Sequence, residues 1–369
     1  IFLLISDTFR YDNLFDRSKV MPVRTPNLDV FSQRAVSLSQ MYVSSFPTIP
    51  HRTDVTSGRH TWLQHPWQDL GASTDNHIPN ILGEMGYRSQ LLCDCPHLFN
   101  SRFNVGFTAA HHVRGQEGDV HFTRLNHAIP EAMPHDKTRF DDIIEGHNLA
   151  DVHAWTAMRN YREIDRFPPR TAQLAMEWLE ENYHRDNLFL WTDFFDPHEP
   201  FDPPEYMVRK YDPTYKGAAM IHPNYGRSSA YTKAELKNMR AHYCAEAELV
   251  DRWVGRVLEK IDDLDLWDNS VVIFTSDHGM AFGEHGCVGK VNLCPNDDRL
   301  WPLYPEIAHV PFMVAAPGLQ GGREVAGFAQ PVDIFPTMLD LAGLAKKAKT
   351  PEPMHGQSFA PLLRGTADA

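Results

Sequence analysis

The sequence predicts an α/β fold, a three-layer sandwich in which a mostly parallel central sheet is flanked by helices. Two observations predict it. Strand-like apolar runs alternate with helix-period segments along most of the chain, the pattern of a parallel sheet covered on both faces. Hydrophobic residues make up 42% of the 369 and charged residues 22%, close to globular averages and enough for a full core. At roughly 150 residues per domain, this length fits about two domains or one large α/β domain with insertions; we expect one catalytic domain over 1–369.

The first strand is Ile1 to Ile5, followed by Ser6-Asp7-Thr8. A helix is expected from Thr25-Pro26-Asn27, where Thr25 can cap, Pro26 suits the first turn, and Leu28, Phe31 and Ala35 recur at helical spacing. A second helix is expected after Pro50. Residues 78–87 read as a short helix ending at a glycine, and 88–93 as the next strand. From about 104 to 170 the pattern dissolves into histidines, prolines and glycines, which reads as an irregular insertion. Regularity returns with a helix over 171–183, a strand over 188–192, a long helix from Lys233 to about Ile261, strands over 270–275 and 309–315, and a last helix over 332–342.

Lys plus Arg is 35 and Asp plus Glu 48, a net charge of −13, and no basic cluster of five or more residues appears, so nucleic acid is not an expected partner. The five cysteines are too few and scattered for a disulfide framework. No apolar run approaches the ~18 residues a membrane span needs. The chain begins inside a strand and without Met, so preceding residues are expected to be missing. A cytoplasmic and an exported protein both fit, and an oligomer is left open.

In open parallel sheets, ligands bind beyond the carboxyl ends of the strands. Asp7 and the pair Asp277-His278 sit at that address, and their oxygens and nitrogen suit a divalent cation. Each also fits a plain loop acid that caps a helix. In Thr48-Ile49-Pro50-His51-Arg52 a hydroxyl precedes an arginine by four residues beside a helix start. That arrangement suits an ionised hydroxyl attacking a tetrahedral oxyanion, and it also fits a simple turn.

Taken together, these residues resemble the sulfatase family of the alkaline phosphatase superfamily. Its motif, Cys/Ser-x-Pro-x-Arg with a Thr-Gly-Arg-like ending, is matched by Thr48 to Arg52 with Ser57-Gly58-Arg59. Further pieces match in order: Thr25 to Leu28, Ile78-Pro79 to Gly86-Tyr87, Pro197 to Phe201 and Thr275 to Gly279. Glu284-His285-Gly286 with Gly289-Lys290, Val310 to Phe312, Gln330 to Asp340 and Gly356 to Gly365 complete the set. The resemblance covers nearly the whole chain.

The resemblance implies a metal-dependent hydrolase of sulfate- or phosphate-type esters acting on a small anionic substrate. It implies Asp7, Asp277 and His278 as ligands of one divalent metal ion (Ca, Mn, Mg or Zn), Thr48 at the nucleophile position and Arg52 steadying the ionised nucleophile. His198 and Lys290 stand where the family binds substrate oxygens and protonates the leaving group. The chain departs from the pattern in four places. Thr48 carries a methyl group on Cβ and cannot yield the formylglycine of true sulfatases. Asp7-Thr8 replaces the usual Asp-Asp pair. Asp94 to Phe99 stands for Gly-Lys-Trp-His-Leu-Gly, losing a lysine and keeping His97 as a substrate-side candidate. The usual small C-terminal sheet subdomain is expected to be absent or truncated.

A threonine nucleophile is the choice of phosphodiesterase relatives, which form a phosphothreonine with two zinc ions. Asp193, Asp196 and His198 lie nearby but not at the spacing those enzymes use, so one metal is expected. The alternative is a catalytically silent homologue that binds an anionic ligand or a partner.

Overall fold

Phe2–Ser6 forms β1, and all five side chains are buried. Phe2 and Leu4 enter one apolar layer while Leu3 and Ile5 enter the other. A strand apolar on both faces must be covered on both, which places β1 in the middle of the sheet. The structure, a computed structural model, describes residues 1–62, 67, 76–117, 119, 137–139, 143–144, 147–294 and 297–366.

Among the described residues seven further strands join β1: β2 (Val36–Met41), β3 (Arg88–Cys93), β4 (Ala109–His112), β5 (Leu188–Phe194), β6 (Val272–Ser276), β7 (Phe312–Ala315) and β8 (Arg323–Ala329). Their order is β8-β2-β7-β6-β1-β5-β3-β4. Only β7 runs against its neighbours β6 and β2; the other pairings are parallel. The expected mostly parallel sheet is present.

One face is covered by α1 (Pro26–Arg34), α4 (Phe167–Asn182) and α5 (Lys233–Asp263). The other is covered by α2 (Thr48–Ser57), α3 (Ile78–Glu84) and α6 (Ile334–Leu341). At the start of α5, Thr232 accepts from the Glu235 amide at 3.2 Å and Glu235 Oε2 accepts from the Thr232 amide at 2.7 Å, a reciprocal cap.

Several boundaries move. The helix expected after Pro50 begins at Thr48, because a proline in the first turn gives up an N–H that has no partner there anyway. The helix expected from Thr171 begins at Phe167 for the same reason, with Pro168 and Pro169 in its first turn. The stretch 104–170 contributes regular elements: edge strand β4, two-residue strands at 143–144 and 147–148, and a helix over Leu149–Ala157. Of this insertion, residues 118, 120–136, 140–142 and 145–146 lie outside the described residues.

Register sets the site. Ser6 lies opposite Phe194 on one side and Ser276 on the other. Asp7 and Asp277, each one residue further, therefore leave the same sheet edge side by side. Asp193 is paired with Ile5 one step below. Among the described residues no helix is long and apolar enough to cross a membrane.

Candidate active site

Asp7, Asp277 and His278 are fully buried. One ligand atom from each lies within 4.8 Å of the other two. Asp277 Oδ1 accepts from the amides of Thr8 at 2.9 Å and His278 at 2.7 Å. Asp7 Oδ1 accepts from the Thr8 hydroxyl at 2.8 Å. Thr8, standing where the family has a second carboxylate, thus acts as a donor that orients Asp7, with its backbone held at φ +59°.

His278 Nδ1 is 3.0 Å from the Gly279 carbonyl, which assigns the ring proton to Nδ1. Nε2 then carries a lone pair. It is buried without a hydrogen-bond partner, 3.7 Å from Asp7 Oδ1 and 3.5 Å from Asp277 Oδ2. A lone pair enclosed with two carboxylate oxygens suits a cation, and a ligating histidine ordinarily gives its other N–H to a backbone carbonyl. These residues therefore fit the expected divalent ion.

α2 brings Thr48 and Arg52 to the same place. All ten of its residues are buried, and Gly58 closes it in the left-handed region at φ +67°. Thr48 is the first residue, at the end where the helix dipole favours negative charge. Arg52, one turn on, has no exposed surface and meets three carboxylates. Nε and Nη2 hold Asp193 at 3.1 and 2.8 Å. Nη1 reaches Asp7 Oδ2 at 3.2 Å, bonds Asp277 Oδ2, and lies 3.5 Å from the Thr48 carbonyl.

The carboxylates respond unequally. Burial, then the neighbouring Asp277 charge, pushes Asp7 well above the usual carboxylate range. Burial acts the same way on Asp277, but the Arg52 guanidinium overrides it and holds Asp277 well below that range. Arg52 itself is raised, since Asp193, Asp277 and Asp7 together outweigh its burial.

The second half of the site is His198 and Lys290, both nearly enclosed. Lys290 Nζ donates to His198 Nε2 at 2.6 Å, while His198 Nδ1 gives its proton to the Glu199 carbonyl at 2.7 Å. Burial, then Lys290, lowers His198 to about 3, so its ring is neutral. His97 stands on the same side, Nε2 3.4 Å from Glu117 Oε2 and edge-on to Phe195 at 5.8 Å; Phe195 stacks on His198 at 4.1 Å.

The structure thus gathers the eight sequence-derived candidates into two groups: Asp7, Asp277, His278, Thr48 and Arg52 in one, His198, Lys290 and His97 in the other. Lys290 is near enough to Asp7 and His278 to act on both electrostatically. Asp193 and Asp196, considered for a second metal, are engaged elsewhere: Asp193 by Arg52 and the Trp191 indole at 3.0 Å, Asp196 by Gln116. Sequence reading missed Asp193 as the arginine's anchor: it lies inside β5, one residue before its end, whereas Asp7 lies just beyond β1. It also missed Glu117, Glu199 and His222, which crowd behind His198.

Residues 1–344 match the family described as Sulfatase. Human arylsulfatase K is 25% identical over 399 residues, and the match covers 99% of this chain and 66% of that protein. The phosphonate monoester hydrolase of Agrobacterium radiobacter superposes with a TM-score of 0.75 at 22% identity, covering 99% of this chain and 77% of the other. A protein solved with its substrate D-glucosamine-2-N,6-O-disulfate gives 0.69 at 16%, covering 100% and 81%. With the family match over nearly its whole length, and an alkaline-phosphatase-like sheet whose edge gathers the motif residues, the chain belongs to the Sulfatase family.

Proposed function

We propose that this chain is a metal-dependent hydrolase of sulfate- or phosphate-type esters (sulfuric esters, phosphodiesters or phosphonate monoesters) with Thr48 as the direct nucleophile. The observation that carries the reading is the orphaned Nε2 of His278 facing Asp7 and Asp277, a donor set for one divalent cation near the helix end that bears Thr48. The likeness to an arylsulfatase and to a phosphonate monoester hydrolase supports both ester classes.

Asp7, Asp277 and His278 would hold the ion. Once bound, it supplies positive charge that favours ionisation of a nearby hydroxyl and of developing oxyanions. The N-terminus of α2 favours the same charge, and Arg52 Nη1 adds a donor fixed in place by Asp193. Thr48 Oγ1 bonds to phosphorus or sulfur as the bond to the leaving oxygen breaks. Lys290 gives that oxygen a proton. His198, neutral and accepting from Lys290, positions the ammonium, a narrower role than the leaving-group acid the resemblance suggested. His97 contacts the substrate from the leaving-group side, and water then cleaves the threonine ester. Phosphate-type esters are favoured, because a sulfothreonine lacks the elimination route that a formylglycine hemiacetal provides.

A catalytically silent homologue is the second reading. One observation favours it: Arg52 Nη1 already bridges Asp7 and Asp277, an internal cation among the ligands.

The test is metal-supplemented hydrolysis of matched aryl sulfate, phosphate monoester, phosphodiester and phosphonate by wild type and Thr48→Ala. Loss of phosphodiester or phosphonate turnover in the variant supports Thr48 as nucleophile. No turnover of any ester by metal-loaded wild type leaves the silent reading.

A further inference from the structure

Behind His198 lies a second convergence of ligating atoms. Glu117 is nearly enclosed, and Glu199 and His222 have no exposed surface. One ligand atom from each lies within 4.8 Å of the other two. His222 Nε2 is 3.8 Å from Glu117 Oε1.

Glu199 supplies a separate observation. Its Oε1 accepts from the Tyr225 hydroxyl, but Oε2 is buried and accepts no hydrogen bond. His198 Nδ1 stands 3.5 Å from Oε2 with its proton committed to the Glu199 carbonyl. A carboxylate oxygen enclosed without a donor is costly unless a cation reaches it. A cavity of about 20 Å³ adjoins the cluster on the side of Glu117 and His222, which line it, enough for one water-sized occupant.

Arg139 Nη1 lies 3.6 Å from Glu199 Oε1 and 3.8 Å from Glu117 Oε1, and Glu199 Oε2 is still left without a hydrogen bond.

We propose that Glu117, Glu199 and His222 form a second divalent-cation site, distinct from Asp7, Asp277 and His278 and independent of the role of Thr48. Two carboxylate oxygens and one imidazole nitrogen suit Mn²⁺ or Zn²⁺. The ion ties Glu117 to the chain from Glu199 to His222 and so braces the wall that carries His97 and His198.

The experiment is equilibrium dialysis of the chelator-stripped full chain against Mn²⁺, with metal counted by elemental analysis and the unfolding temperature followed in parallel. Wild type is expected to hold two Mn²⁺ per chain. Asp277→Asn, Glu199→Gln and His222→Gln are each expected to hold one, and adding Mn²⁺ to Asp277→Asn is expected to raise its unfolding temperature. A folded Asp277→Asn chain that holds none overturns the proposal without any variant at the new site. Two Mn²⁺ retained by both Glu199→Gln and His222→Gln overturns it as well. One Mn²⁺ on wild type that survives Asp277→Asn supports the new site and removes the metal from the first.

Discussion

Arg52 and Asp193 meet fork to fork, Nε to Oδ2 at 3.1 Å and Nη2 to Oδ1 at 2.8 Å, and neither side chain has any exposed surface. The pairing fixes the guanidinium plane and leaves Nη1 as the corner directed at Asp7 and Asp277.

Asp193→Asn removes the anchoring charge from a buried pair. A loss of about 3–5 kcal/mol in unfolding free energy is expected, since the arginine stays buried with one partner fewer. Arg52→Lys is expected to behave no better, because a point ammonium cannot reproduce the fork. Denaturant titration of both variants checks this; wild-type stability in either sinks the idea that the fork holds the site.

Thr8 stands where the family pattern has a second carboxylate and donates to Asp7 at 2.8 Å. Thr8→Val keeps the shape and deletes the donor. Metal affinity at Asp7–Asp277–His278 is expected to fall about 10–100-fold, the usual effect of losing a partner that orients a ligand. Calorimetric Mn²⁺ titration measures it, and an unchanged affinity would show Asp7 to be positioned by other contacts.

Lys290→Met tests the source of the leaving-group proton. Turnover of esters with poor leaving groups, such as alkyl esters, is expected to drop on the order of 10²–10⁴-fold. Nitrophenyl esters, whose leaving oxygen needs no proton, should fall far less. A uniform loss across the series would instead assign Lys290 to binding.

Burial lowers His51 to about 3 and His198 to about 3, from 6.5. Above pH 6.5 both native and unfolded chains hold these rings neutral. Below it the unfolded chain takes up protons that the native state refuses, so stability falls with falling pH down to about 3. Each ring is expected to contribute about 1.4 kcal/mol per pH unit in that window. Unfolding free energies at pH 7 and 5 should differ accordingly, and His51→Phe should shrink the difference; equal pH slopes in the two proteins would rule out His51 as a contributor.

Much of the fold was legible because β1 and β6 are continuous apolar runs followed by Asp7 and Asp277, and β5 is a similar run that carries Asp193 next to its last residue; local pattern suffices to see them. β2 and β8 escaped the sequence reading: Val36–Met41 interleaves serines, and Arg323–Ala329 alternates exposed and enclosed residues at the sheet border. Asp7, Asp277 and His278 could be named as candidate metal ligands because strand ends carry them. Glu117 and His222 could not, since a packed insertion and a distant loop bring them together across more than a hundred residues, and no local spacing records that. The fork was hidden for the same reason, with 141 positions separating Arg52 from Asp193.

Beyond its first turn, α2 has no side open to water. Solvent can reach its amides only when the layers on both sides come apart, so their hydrogen exchange follows global unfolding rather than local fraying. The helix that begins at Thr48 is then among the last parts of the protein to exchange its amide protons.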